Sequence, residues 1–480
     1  MGTCCTSSIS SKKVSPAAPV KKRTVFEKYT FGEIIGNGNF GTVTLCTSKA
    51  DPSFKVAMKS LRKTRLGNSL INILEEVRIL RQLDHPNIIK YYEMFEDEEY
   101  IYLAMEYCSG GELFERIKEK EVFNETEASS IILKLLKALN YCHSLGIAHR
   151  DIKPENILYV SKDPDSEIKL IDFGLAKTPQ ANTGTFSTVV GSAYYLAPEM
   201  LDGSYTFECD IWSTGIILYI LLSGLIPFNG ETNEEIFTKI KTSKLKLNGD
   251  EWDKVSEPAK DLVSKLLDPN AKTRLSASKA MDHAWFKVVS QYSKEIDELD
   301  ERIMGSIRNY IKSSRLEKLL MQSLVRTLSE DSINDLKLQF KLLDKSKSGF
   351  IYISDLIESL VSQGEKINKA ELELLKSGLD VNKTGMINYS EFLAATISSQ
   401  NFLTNEKIWR TFKLLDHDDK GYLTIEDIDS YFQSNDKSMH EKIKEEISKA
   451  EKFKETNQLF FDDFKAAFDL INKKKNKESK

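Results

Sequence analysis

No apolar run in the chain approaches the roughly 20 residues that a membrane-spanning helix needs, so no segment is expected to cross a bilayer. Cysteine is scarce: Cys4, Cys5, Cys46, Cys108, Cys142 and Cys209 are the six, and none follows residue 209. Their irregular spacing, with no secretory signal, gives no disulfide framework and points to a reducing compartment. An excess of charge is also lacking, since 67 basic and 72 acidic residues leave a net charge of -5. No polyanionic partner is indicated, and a nucleic-acid role has no support beyond the short lysine-rich NKKKNKESK. At 480 residues, 41% hydrophobic and 29% charged, the chain has the composition of a globular protein too long for one core.

The amino terminus reads MGTCCTSSIS, with Gly2 and Thr6 in an N-myristoylation pattern. A single myristoyl chain binds membranes only marginally, which makes Cys4 and Cys5 natural palmitoylation sites. Lys12, Lys13, Lys21, Lys22 and Arg23 add attraction to an anionic leaflet. Residues 1–28 are therefore expected to be an acylated basic tail, holding an otherwise cytoplasmic protein at the cytoplasmic face of a membrane.

The stretch GEIIGNGNFGTVTLC reads as strand, glycine turn and strand. Gly36, Gly38 and Gly41 are followed by a strand pattern with Val43 rather than by a helix, which disfavours a dinucleotide fold and favours phosphate under a flexible hairpin. In FKVAMKSL, strand alternation points Ala57 and Lys59 the same way, so a small residue beside a nucleobase precedes an ammonium at the phosphates. The helical pattern NSLINILEEVRILRQL groups Ile71, Leu74, Arg78 and Ile79 and offers Glu76 to hold Lys59. In HRDIKPEN, Asp151 is placed to accept the proton of an attacking hydroxyl, Lys153 to neutralise a transferring phosphoryl group and Asn156 to hold magnesium. Asp172, in IDFGLA, supplies a second metal carboxylate, and few carboxylates plus substrate phosphates suit magnesium. Glu199, in YYLAPEM, is placed to pair with Arg274.

These motifs, in this order, resemble the eukaryotic protein kinases over residues 29–286. The resemblance implies a two-lobed fold with ATP and Mg2+ in the cleft, Met105 as gatekeeper and Glu106 to Cys108 as hinge. Lys153 is the serine/threonine form of the catalytic loop. Glu112 and Glu155 match acidic positions that, in basophilic kinases, take a basic residue upstream of the phosphoacceptor. Residues 172 to 199 become the activation segment, with Thr188 where many kinases carry an activating phosphate and Arg150 as its partner.

The second half is a repeat. Asp344, Asp380 and Asp416 each open a twelve-residue stretch, 36 residues apart, and one more step reaches Lys452. In DVNKTGMINYSE, Asp380, Asn382, Thr384, the Met386 carbonyl and Glu391 fill positions 1, 3, 5, 7 and 12 of a calcium loop, with Gly385 at the sharp turn. Ile387, at position 8, suits pairing between loops. The stretch 344–355 offers Asp344, Ser346, Ser348 and a shorter Asp355, so weak or magnesium-favouring binding is expected. In 416–427, Asp416, Asp418 and Asp427 remain, but Lys420 cannot ligate. The stretch 452–463 begins with a cation, lacks the glycine and reads as structural.

Both halves together resemble the calcium-dependent protein kinases of plants and protists. The expected fold class is α+β: a two-lobed kinase fold, then an all-α domain of four EF-hand units over residues 331–475. Residues 287–330 read as one helix, acidic and then basic and amphipathic. Ile307, Tyr310, Ile311, Leu316, Leu319, Leu320 and Leu324 form its apolar stripe, with Arg308, Lys312, Arg315 and Lys318 interspersed. A basic amphipathic helix beside a calcium sensor is expected to be its target. The resemblance makes it an autoinhibitory junction that blocks the catalytic lobe until calcium-loaded EF-hands capture it. The expected function is a monomeric calcium-activated serine/threonine kinase acting on protein substrates. Two alternatives stay open: an active kinase with a vestigial sensor controlled by phosphorylation, and a catalytically dead calcium-dependent scaffold.

Overall fold

The computed structural model describes residues 24–38, 41–66, 70–177, 186, 188, 190–290, 300–313, 315–326, 328, 333–362, 368–379, 385–397, 405–416, 420–432 and 458–466. Gly2, Cys4, Cys5, Asp380, Asn382, Thr384 and Asp418 lie outside them.

The first lobe is a five-stranded antiparallel sheet of β1 (Tyr29–Gly38), β2 (Gly41–Ser48), β3 (Lys55–Arg62), β4 (Tyr91–Glu96) and β5 (Tyr100–Glu106), in the order β1-β2-β3-β5-β4. Strand alternation sorts β3: Val56 and Met58 enter a small core with Tyr29, Cys46, Tyr102 and Ala104, while Ala57 and Lys59 face the other way. That other side is covered by the helix Leu70–Gln82, whose Ile73 and Val77 pack on Leu61, Ile101 and Leu103. Of the stripe its sequence suggests, Ile79 is buried and the side chain of Ile71 lies outside the described set, but Leu74 and Arg78 turn outward. Leu74 is 50% exposed and Arg78 pairs outward with Glu75, whereas Ile73, Glu76, Val77 and Leu80 are buried. Glu76 must face Lys59, and the residues one turn away on its own face turn inward with it.

The second lobe is helical, built on Glu125–Ser144, which starts from a capping box between Asn124 and Glu127. Against it lies Glu208–Ser223, apolar on nearly every side and buried from Cys209 to Ser223. The Glu125 carboxylate accepts from the Ser256 amide, the Ser256 hydroxyl and Trp285 Nε1, each at 2.7 Å, and so ties three segments together. A short hairpin, β6 (Ile157–Tyr159) and β7 (Ile168–Leu170), separates HRDIKPEN from Asp172.

The 36-residue repeat appears as two pairings at its eighth position. In one, β8 (Ile351–Tyr352) pairs with β9 (Met386–Ile387) through Ile351 and Ile387; in the other, β10 (Tyr422–Leu423) pairs with β11 (Leu459–Phe460) through Leu423 and Leu459. Helices Asn334–Leu343 and Ile353–Ser362 flank the first loop, Lys369–Leu379 and Tyr389–Thr396 the second, and Asn405–Leu415 and Ile425–Phe432 the third.

Residues 287–330 do not form the single helix expected of them. A helix ending at Ser290 belongs to the second lobe, and the junction is two helices, Glu301–Ile311 and Arg315–Arg326. Ile303, Ile307, Tyr310, Ile311, Leu320 and Leu324 are buried in one core with Phe340, Leu379, Phe392 and Phe412 of the repeat. The side chains of Leu316 and Leu319 lie outside the described set. Lys318 accounts for the break: its ammonium is buried and donates to the carbonyls of Ile311, at 3.2 Å, and Gly378, at 2.9 Å. It thereby caps the end of the first junction helix and of the helix that enters 380–391.

The repeat also rests on the lobes. Lys341 pairs with Glu167 at 2.8 Å, Phe350 packs on Tyr141 at 5.0 Å, and Arg410 pairs with Asp51. Replacing Lys318 with Met leaves two buried carbonyls unsatisfied, at a cost of about 1–3 kcal/mol. Urea unfolding of the full chain is expected to show the repeat's transition at lower urea in Lys318→Met; an unchanged midpoint would contradict this reading of the break.

Candidate functional site

Strand register builds the cleft. Lys59 stands between Val43 and Leu103, and Ala57 between Leu45 and Met105, so two rows of side chains cross the sheet. Gly38, at the end of β1, pairs with Gly41, at the start of β2, two residues beyond Gly36. A Cβ at Gly41 would stand 1.7 Å from the Ser60 carbonyl oxygen, so this close strand crossing admits only glycine. The Glu106 carboxylate turns back toward Lys169, at 3.2 Å, and the Lys90 amide, at 3.1 Å; Cys108 is half-buried and not in a disulfide. In this hinge the backbone groups are what a nucleobase would meet.

Lys59 Nζ lies 2.8 Å from Glu76 and 3.3 Å from Asp172, so it joins the sheet, its covering helix and the second lobe. Burial disfavours its ammonium form, but the carboxylates of Glu76 and Asp172 outweigh that and hold its pKa raised. The same ammonium is the largest influence on Asp172 and keeps its carboxyl below the ordinary range. Asp172 has a left-handed backbone, φ 62°, and its carboxylate is aimed partly at solvent.

The catalytic loop is tied together by donors. Asp151 Oδ2 accepts from Lys153 Nζ at 2.7 Å and Asn156 Nδ2 at 3.0 Å, and Oδ1 accepts from the Ser192 hydroxyl at 3.3 Å. Because Asn156 uses its amide nitrogen here, its amide oxygen is the atom left for a cation. Asp172 and Asn156 are thus one carboxylate and one amide oxygen, a donor set that fits magnesium carried by phosphates. Beneath them Asp210, fully buried, accepts from the amides of His149 and Arg150 at 2.9 and 2.8 Å and pairs with His143 at 2.8 Å. Arg150, expected to meet a phosphate on Thr188, is 6% exposed and already donates to the Leu175 carbonyl and the Tyr205 hydroxyl. Thr188 is exposed, and its carbonyl accepts from the same Tyr205 hydroxyl at 2.6 Å. Glu199 and Arg274 form a two-bond pair at 2.6 and 2.9 Å under the segment between them and Asp172.

Glu112 and Glu155 come together at the lip of the second lobe. Burial first, and then Glu155 and Glu115, raise the Glu112 carboxyl above its ordinary value. Glu155 Oε2 is buried with no hydrogen-bond partner among the described residues.

Of the loop 380–391, Gly385 has φ 79°, Met386 lies in β9, and Glu391 is 4% exposed with its carboxylate accepting from the Asn388 amide at 2.9 Å. The positive φ matches the turn such a loop requires, and a buried carboxylate at position 12 suits a hard cation. Tyr310 of the junction is buried beside it: burial first, and then Glu391, raise the Tyr310 hydroxyl pKa. In 344–355, Asp344 accepts from the Ser348 and Gly349 amides and the Ser346 hydroxyl, while Asp355 is half-buried and accepts from Ser354. In 416–427, Asp416 and Asp427 are both buried, and Lys420 Nζ lies 2.6 Å from Asp427.

The protein kinase domain family matches residues 29–286, and the EF-hand domain pair family matches residues 333–397. The chain is 38% identical over 435 residues to calcium-dependent protein kinase 12 of Arabidopsis thaliana, covering 89% of this chain and 88% of that protein. It is 37% identical over 395 residues to calcium-dependent protein kinase 5 of Plasmodium falciparum (isolate 3D7), covering 82% and 69%. The chain belongs to the calcium-dependent protein kinase family. It is a serine/threonine protein kinase by class, with a mixed α+β kinase fold and an EF-hand domain.

Several residues that shape this kinase escaped the motifs. Asp210 had a signal, a carboxylate inside the apolar run ECDIWSTGIILYILLS, where only a partner makes burial tolerable. Ser192 and Glu167 had none, because each acts through contacts made only in the folded chain.

Proposed function

We propose that this kinase transfers the γ-phosphoryl group of ATP to serine or threonine of protein substrates, and that calcium in its EF-hands releases it. The observation that carries the reading is the junction: both its helices bury their apolar residues in the EF-hand core while Lys59 Nζ lies 2.8 Å from Glu76 and 3.3 Å from Asp172.

Lys59, held by Glu76, orients the α- and β-phosphates, and the glycine hairpin covers them. Asp151 accepts the proton of the substrate hydroxyl, while Lys153, on the same carboxylate, sits where charge on the transferring group is offset. Asn156 and Asp172 would hold Mg2+, which would supply positive charge against the phosphates. Met105 closes the back of the cleft, and the backbone of Glu106 to Cys108 meets the adenine. The unpartnered Glu155 Oε2 and the neighbouring Glu112 form an acidic seat for a basic residue upstream of the phosphoacceptor.

At low calcium the junction blocks the catalytic lobe; calcium at 380–391, through Asp380, Asn382, Thr384, the Met386 carbonyl and Glu391, favours its capture. A short path leads from there to the cleft. Ser390, next to Glu391, bonds Asp84 through its amide and hydroxyl at 2.9 and 2.8 Å, and Asp84 lies two residues past the end of the helix that carries Glu76. The protein acts as a monomer, and acyl groups on Gly2, Cys4 and Cys5 hold it at the cytoplasmic face of a membrane.

Phosphate transfer to a serine peptide with an upstream arginine tests the reading. Wild type is expected to be active with calcium and nearly inactive in chelator, and Asp151→Asn inactive in both; label incorporated by Asp151→Asn at the wild-type rate would overturn it. A raised carboxyl pKa means that charge is lost earlier as pH falls, so KM for this peptide should rise on acidification. Glu112→Gln should flatten that rise, and a peptide without arginine should not show it. An identical profile in Glu112→Gln would remove Glu112 from the seat.

A further inference from the structure

The third EF-hand, residues 416–427, departs from a calcium loop in a specific way: it contains its own cation. Its first and twelfth residues, Asp416 and Asp427, are 2% and 6% exposed. Lys420, at position 5, would ordinarily give a calcium ligand, but it carries an ammonium. That ammonium does not extend into solvent. It lies 2.6 Å from Asp427 Oδ1 and 5.7 Å from the centre of the Tyr422 ring. Asp427 Oδ2 accepts from the Thr424 amide at 2.6 Å and the Thr424 hydroxyl at 2.9 Å. Asp416 accepts from the Lys420 and Gly421 amides, both at 2.9 Å, and meets Lys413 Nζ at 3.6 Å. Every carboxylate oxygen of these two residues therefore has a donor from the chain, and two ammonium groups offset their two charges.

The residues present do not fit calcium. Asp427 would have to leave the Lys420 ammonium, which would then be buried against an incoming divalent cation. Separating a buried ion pair of this kind weakens a competing site on the order of a hundredfold or more. The other two loops with a carboxylate at position 1 differ. In 344–355 the donors to Asp344 are amides and a hydroxyl, and in 380–391 position 5 is Thr384, which carries no charge.

We propose that the third EF-hand does not take up calcium and that the Lys420 ammonium replaces it, holding the loop between Asp416 and Asp427 in its paired form at all calcium levels. The replacement has a structural role. The helix that enters this loop, Asn405–Leu415, supplies Phe412 to the core around the second junction helix, and its Arg410 pairs with Asp51 and donates to the Ser53 hydroxyl on the first lobe. This part of the EF-hand domain is a calcium-independent clamp, and calcium regulation falls to the first pair of loops.

The inference deepens the calcium-sensing reading and is separable from it. Equilibrium dialysis of the full-length protein with radiolabelled calcium, at about 0.1 mM free calcium and so above the usual sensor range, decides both. Asp427→Asn is expected to bind as many calcium ions as wild type, and Lys420→Asn to bind one more. Loss of one ion in Asp427→Asn, or no gain in Lys420→Asn, would overturn the proposal. Glu391→Gln, run alongside, should lose one ion; if it does not, the assignment of 380–391 as the sensor fails while the third loop is judged by its own variants.

Discussion

An amphipathic junction whose apolar face needs cover is the constraint on which this molecule turns. Ile303, Ile307, Tyr310, Ile311, Leu320 and Leu324 cannot remain in water without losing about 1.5–3 kcal/mol for each large side chain exposed. In this structure the EF-hand core covers them. The two-helix form follows from that cover, because the helices bend around the Lys369–Leu379 and Tyr389–Thr396 pair, with Lys318 satisfying the carbonyl ends left at the bend. Basic residues that look like a solvated face in sequence are used inside: Arg308 pairs with Glu371 at 2.6 Å, and Lys318 is buried.

The catalytic cleft is held by charge as well as by the apolar packing of Ile73 and Val77 on the sheet. Lys59 is shared by two carboxylates from different elements, so it links the sheet, the Leu70–Gln82 helix and Asp172. Contacts between the halves reach the segment just after this helix through Asp84 and the second lobe through Glu167, where Lys341, Lys134 and Lys337 converge within 3.9 Å. Those lysines hold the Glu167 carboxyl far below its ordinary range despite burial, the mark of a carboxylate that stays charged throughout the working pH range.

Much of this was legible in the sequence because phosphoryl transfer and cation binding demand fixed residue types at fixed spacing. HRDIKPEN and the 36-residue repeat state their chemistry locally, and the pairings of Ile351 with Ile387 and of Leu423 with Leu459 follow the repeat's register. What was not legible depends on partners distant in sequence. The junction's bend depends on Gly378, and the state of Arg150 on Leu175 and Tyr205. Lys420 was visible as a misfit at position 5, but only the fold shows where its ammonium goes.

Energetics limit how the switch works. Reversing a 1:99 equilibrium takes roughly 5.5 kcal/mol, whereas one calcium site at a hundred times its dissociation constant supplies about 2.7 kcal/mol. On the proposed assignment, with Lys420 filling the third loop and Lys452 opening the fourth, the loops at Asp344 and Asp380 would have to act together, or the resting state would be less tightly shut. The measurement that bears most directly on this account is peptide phosphorylation against free calcium for wild type and Glu391→Gln in parallel. The account predicts a steep rise in wild type and persistently low activity in the variant; equal activity of both without calcium would contradict it.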